Sequence, residues 1–175
     1  MSVIASLQRL YADMHASVFL WHGAETRDVA IERGVRQGDP LSPLLFNLVL
    51  NAVFEELRPT WQRRGYGTNV GQAVTGDRLT HVAFADDMTL LARSWTMLKR
   101  MLSQVRDALA KRGLTLHPDK CKAQTNRAGW SRRGAQHVTD DFSLTVLPEG
   151  EPVKVLGTLL DLDDVTGKER YVIEF

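Results

Sequence analysis

The run AFADDMTLLA, residues 83–92, sets two aspartates side by side between two apolar stretches. Successive side chains of a strand point to opposite faces, so one uninterrupted strand would drive a carboxylate into the core, where an unpaired charge is not tolerated. A turn at Ala85-Asp86-Asp87 avoids this. LTHVAF and MTLLAR then become the arms of a β-hairpin, and both carboxylates leave from one end of a sheet.

The same reasoning places the other elements. Ile4, Leu7, Tyr11, Met14 and Val18 step by three and four, which predicts an amphipathic helix over residues 2–16. SVFLW and DVAIER flank HGAET as a second hairpin. GVRQGDPLSP, with two glycines and two prolines, reads as a loop. A helix over 41–57 follows, with Ser42 as its cap and Pro43 in its first turn. It is apolar nearly all round, so burial on more than one side is expected. Residues 65–78 are glycine-rich and read as a loop with a short strand. After the aspartate hairpin, Ser94 caps a helix carrying Trp95, Leu98, Leu102, Val105 and Leu109 on one face, and Gly113 ends it. LTL, CKAQT, FSLTVL and VKVLGTLL supply further short strands.

Composition limits the possibilities. The 175 residues are 43% hydrophobic and 25% charged, enough for one globular domain with a real core. The longest apolar run, PLLFNLVLNAVF, is interrupted by two asparagines and falls short of the roughly 20 residues a membrane span needs. The N-terminus lacks the pattern of a signal peptide. Cys121 has no second cysteine to pair with, which points to a reducing, intracellular location, nuclear or cytoplasmic. The net charge of +1 averages two unlike segments: residues 93–133 carry +9 and residues 139–175 carry −6. A basic stretch after a carboxylate pair fits a solvated helix face, or a polyanion held beside a metal. His15, His22, His81, His117 and His137 share no face or ligand spacing, so surface or core roles are expected of them. Trp95 reads as core. Trp130, in NRAGWSRRG, reads equally as a nucleic-acid clamp or a surface insertion.

Two carboxylates at a strand turn form a hard oxygen site suited to Mg²⁺, which takes one or two carboxylates together with substrate phosphates. Alone the pair is common turn chemistry. Read with its neighbours it is not: GVRQGDPLSPLLFN followed by FADD, GLTLHPDKCK and VKVLGTLL resembles the palm of reverse transcriptases, particularly those of non-LTR retrotransposons and group II introns. The resemblance runs from about Arg33 to Leu160. It implies an α+β fold, a partial right-hand polymerase palm with an antiparallel sheet packed on helices. Residues 1–160 would form the partial palm, and 161–175 the start of a connection to a thumb.

The resemblance also implies roles. Asp86 and Asp87 match the aspartates that hold two Mg²⁺ ions. Phe84 matches the aromatic residue beneath the primer end, with core packing as the plain alternative, and Ala85 the small residue that leaves room for the nucleotide sugar. Arg36, Gln37 and Gly38 match the loop that meets the incoming nucleotide and template base; Ser42, Pro43, Phe46 and Asn47 begin the helix supporting the template. Lys120 matches a lysine near the triphosphate, with a solvated surface lysine as its alternative. Leu156 and Gly157 match the hairpin that grips the primer, although the residue before them is Val155 rather than an aromatic. The implied partners are an RNA template, a DNA primer and deoxynucleoside triphosphates, with no membrane.

The family's further catalytic aspartate, on a strand upstream of the RQG loop, has no match among Asp13, Glu25, Asp28 and Glu32. The expectation is a chain lacking that strand, the fingers and most of the thumb, inactive alone and prone to aggregate because the aspartate hairpin loses a neighbouring strand. A non-catalytic retroelement remnant that binds nucleic acid is the alternative. A metal-dependent phosphohydrolase has little support, because no water-activating base is visible.

Overall fold

The computed structural model describes residues 2–18, 27–31, 34–36, 38–69, 78–126, 134–139, 142–155, 158–160 and 171–174. Two units are distinguished, residues 1–42 and residues 43–175.

The first unit holds helix α1 (Val3–Tyr11) and the antiparallel pair β1 (His15–Val18) and β2 (Arg27–Ala30). The helix stops several residues short of 16, because Met14 and His15 turn into the strand pair, where Ile31 N donates to Met14 O at 2.7 Å. The Tyr11 hydroxyl donates to Asp39 Oδ2 at 3.0 Å, and the Ser42 hydroxyl to Arg36 O at 2.5 Å. Ser42 therefore braces the loop instead of capping the helix it begins.

The second unit is built on helices α2 (Ser42–Arg63) and α3 (Trp95–Ala110). α2 runs past residue 57, with Pro59 accommodated inside it. It buries one stripe only, Leu50, Val53, Phe54, Leu57 and Trp61, while Leu44 and Leu48 stay exposed. Burial on several sides was the expectation; a single sheet-facing stripe is what the packing supplies. α3 follows its sequence signals closely. The Ser94 side chain accepts from Met97 N at 3.2 Å, and Gly113 adopts φ +74°, a conformation open to glycine, as the chain leaves the helix. The two helices are tied by Trp61 Nε1 donating to Gln104 Oε1 at 2.8 Å, and by Lys111 and Arg112 on Glu56, each at 3.0 Å.

Both helices cover one face of a six-stranded sheet in the order β3-β4-β10-β5-β7-β6, formed by β3 (His81–Phe84), β4 (Asp87–Ala92), β5 (Lys122–Thr125), β6 (Gly134–Thr139), β7 (Phe142–Val146) and β10 (Tyr171–Glu174). The sheet is mixed, not antiparallel throughout: β5 and β7 run parallel, because the chain goes from β5 to edge strand β6 and returns between the two. A separate pair, β8 (Val153–Val155) with β9 (Thr158–Leu160), accounts for VKVLGTLL. Residues 114–116 form no strand.

Among the described residues the hairpin keeps one open edge, at β3, the terminal strand of the sheet, whereas the β4 side is covered. β10 pairs antiparallel with both β4 and β5, with Ile173 opposite Leu90 and Ala123, and Val172 opposite Leu91 and Gln124. The pleat sends Ile173 into the main core under the helices. Val172 goes to the other face, among Leu147, Val153 and Leu91.

Candidate active site at the β3–β4 turn

Phe84 and Asp87 are the last paired residues of the hairpin, so Ala85 and Asp86 alone make the turn. Ala85 has φ +53° and is the only non-glycine residue with positive φ among those described. A positive φ confined to the first of two loop residues marks a type II′ turn, a place usually held by glycine, and an alanine there is strained. The turn lifts Asp86 off the strand and leaves both aspartates exposed. Asp87 begins β4 on the face opposite Met88 and Leu90, whereas Asp86 looks over the helix side.

On that side a groove of about 230 Å³ is lined by Phe46, Leu50, Asp86, Met88, Leu114 and Lys120, among others. Asp86 and Lys120, 34 positions apart, thus meet across one groove with apolar walls. Lys120 ends a 3₁₀ turn, Pro118–Lys120, that is pinned at three points. Lys120 N donates to His117 O at 3.1 Å, Cys121 N to Pro118 O at 3.0 Å, and the Cys121 thiol to His117 O at 3.3 Å. Burial pushes the Cys121 thiol up to about 12, so it stays protonated and remains a donor.

A second groove of about 360 Å³ lies against the turn and takes in Asn47, Asn51, His81, Phe84 and Ala85. Asn47 and Asn51 stand one turn apart on α2 and present amides to it. Phe84 is 72% exposed, which excludes the core-packing alternative. His81 stacks on Phe54, ring centroids 3.7 Å apart and 9° between planes, and its Nδ1 lies 2.9 Å from the Thr80 hydroxyl. Burial, with the charge of Arg58, pulls His81 down to about 4, so the ring is neutral at pH 7.

In the loop of the first unit, Arg36 is exposed and Gly38 has φ +85°, a backbone conformation that favours glycine. Gln37, Leu156, Gly157 and Trp130 lie outside the described residues. Among the described residues no three His, Cys, Asp or Glu side chains converge on one point, and no helix is long and apolar enough to cross a membrane. Read as scattered histidines, His81 and His117 sit in the two grooves. The available signals were the position of His81 on the strand that carries Phe84, and that of His117 three residues before Lys120.

The family model described as reverse transcriptase (RNA-dependent DNA polymerase) matches residues 4–160. The chain is 36% identical over 109 residues to a Pol polyprotein of a type-1 R2 retrotransposable element from Popillia japonica, covering 62% of the chain and 14% of that protein. It is 42% identical over 89 residues to its counterpart from Nasonia vitripennis, covering 51% and 8%. A type-2 R2DM Pol polyprotein from Drosophila melanogaster is 39% identical over 99 residues, covering 57% and 8%. The chain thus spans a small part of the length of these relatives. No solved structure matches it. With the family model covering nearly all of the chain, and with the Asp86–Asp87 turn inside the match, this chain belongs to the reverse transcriptase family.

Proposed function

We propose that this chain carries the aspartate hairpin of an RNA-directed DNA polymerase palm, in a protein that extends a DNA primer with deoxynucleotides along an RNA template. The observation that carries the reading is the meeting of Asp86 and Lys120 across one groove at the strained turn. Asp86 and Asp87 would hold divalent metal, best Mg²⁺. Their hard carboxylate oxygens are exposed at a hairpin tip, where phosphate oxygens and water can complete the coordination. When bound, the metal supplies a lowered pKa for the primer hydroxyl and charge neutralisation at the triphosphate.

The remaining work falls to this chain's side chains. Lys120, on its pinned turn, is placed to neutralise or protonate the departing pyrophosphate. Phe84 offers an exposed aromatic face to the primer end, and the short Ala85 side chain keeps the sugar's space clear. Arg36, Gln37 and Gly38 meet the nucleotide and template base from their loop, and Leu156 and Gly157 contact the primer. Residues 1–160, with β10 completing the sheet between β4 and β5, make up this part of the palm. Asp86 is the principal metal ligand and Asp87 the secondary one, since Asp86 shares the groove with Lys120 and Asp87 starts the strand on the opposite face.

The test is binding of a fluorescent deoxynucleoside triphosphate with and without Mg²⁺. Mg²⁺-dependent binding that Asp86→Asn abolishes and Asp87→Asn weakens is the expected result. Binding indifferent to Mg²⁺, or unchanged in folded Asp86→Asn, overturns the assignment.

A further inference from the structure

At the far end of β4 from the aspartate turn, four arginines bond to Gly65 and Tyr66, just past α2. Arg78 Nη1 and Arg93 Nη2 both donate to Gly65 O, the latter at 3.4 Å. Arg64 Nη1 donates to the Tyr66 hydroxyl at 3.4 Å, and Arg100 acts on the same hydroxyl. The acceptors are a neutral carbonyl and a neutral phenol. Among the described residues no carboxylate pairs with any of the four, and the first turn of α3, beside Arg93, holds no acid.

A guanidinium carries five donors, and among the described residues most of those in the cluster make no hydrogen bond. Arg93 Nε is buried and makes no hydrogen bond among the described residues. The local field is visible on Tyr66. Burial alone would raise its hydroxyl, but the hydrogen bonds and charge of Arg64 and Arg100 prevail and hold it below the ordinary phenol value. Four like charges brought near one another, with no carboxylate paired to them among the described residues, repel one another, and a bound anion relieves that repulsion.

Arg64 and Arg100 are exposed to solvent, and Arg78 and Arg93 are half-buried. The cluster is also pre-formed. Gly65 has φ +62°, and a Cβ there would collide with Arg78 Nη1, so the tight loop is what lets Arg78 reach the carbonyl.

We propose that Arg64, Arg78, Arg93 and Arg100 form a phosphate-binding site for the nucleic-acid backbone, separate from the metal-binding turn. Planar guanidiniums suit phosphate oxygens, and backbone contacts position a duplex without reading its sequence. The inference rests on the chain's acting on nucleic acid.

The experiment measures binding of a fluorescein-labelled RNA–DNA heteroduplex to the full chain across a salt series. The variants alter the two exposed arginines, whose loss leaves the Gly65 carbonyl braced: Arg64→Gln with Arg100→Gln, and the same pair to Lys. The glutamine pair is expected to weaken binding whatever the sequence and to lower the salt slope by about 2, roughly one for each phosphate left unneutralised. The lysine pair should keep most of the slope, since it keeps the charge. An unchanged slope and affinity in the folded glutamine pair overturns the site, as does failure of the unaltered chain to bind the heteroduplex. Protection from thermal unfolding by inorganic phosphate that requires Arg64 and Arg100, without any change in heteroduplex slope, assigns the cluster to free phosphate instead and also overturns it. Mg²⁺-dependent nucleotide binding at Asp86 is measured separately, so loss of one reading is distinguishable from loss of the other.

Discussion

Ile173→Ala tests the placement of β10 between β4 and β5. Ile173 is fully buried, with zero relative exposure, opposite Leu90 and Ala123 in a sheet covered by α2 and α3. Truncating a buried isoleucine to alanine loses the transfer free energy of its methyl and methylene groups and leaves a cavity, together about 2–5 kcal/mol. This site sits toward the upper half of that range. Two backbones flank Ile173 in the sheet and helices close it from above, so little can collapse into the gap. Val172, also with zero exposure, faces the small cluster with Leu147 and Val153. Val172→Ala removes less apolar area and should cost roughly 1.5–2.5 kcal/mol. A domain of this size has about 5–15 kcal/mol in total. The double variant therefore approaches the whole stability and should be largely unfolded at 37 °C if the parent lies near the lower end. Urea denaturation followed by circular dichroism reads each change as a lower midpoint at constant slope. An Ile173→Ala chain within about 0.5 kcal/mol of the parent would be an ordinary surface effect, and it would refute the insertion of β10 and the closed edge beside β4.

Two further outcomes follow from local geometry. Ala85→Gly relieves a left-handed conformation that costs an L-residue roughly 1–2 kcal/mol, against about 0.5–1 kcal/mol of added unfolded-state freedom. A net stabilisation between zero and about 1.5 kcal/mol is expected in the same denaturation assay, and clear destabilisation would show that the turn is not type II′. His81 has a folded pKa of about 4 against an ordinary 6.5, so its contribution is complete above pH 6.5 and is lost as pH falls toward 4, where the unfolded chain binds the extra proton. Allowing for the ring's partial exposure the loss is about 1–2 kcal/mol; His81→Phe should flatten stability over that window, and an unchanged pH dependence would refute the assignment.

Elements governed by local signals were legible in advance. The aspartate hairpin follows from two charges that a continuous strand could not bury, and α3 from the Ser94 cap, its apolar spacing and Gly113. The strand pairs at residues 15–30 and 153–160 have similar local causes. Local patterns were less reliable where partners decide burial. α2 reads as apolar all round, but the sheet covers one stripe and leaves Leu44 and Leu48 exposed. β6 lies beside a run of arginines and glycines with no strand pattern, and β10 within an acidic segment, so neither was anticipated. Each is a strand because β7, or β4 and β5, offers it a ladder to complete.

The site divides in the same way. Composition and spacing determined that two carboxylates leave the end of a hairpin and that a loop with two glycines and two prolines precedes a helix. These follow from steric and charge rules acting over a few residues. Tertiary structure decided that Asp86 and Lys120 share a groove, that Phe84 is exposed while His81 is stacked and neutral, and that arginines from positions 64, 78, 93 and 100 surround one loop. Such meetings depend on which strands pair and in what order, and strand order is set by long-range closure of the sheet, on which periodicity along the chain carries no information.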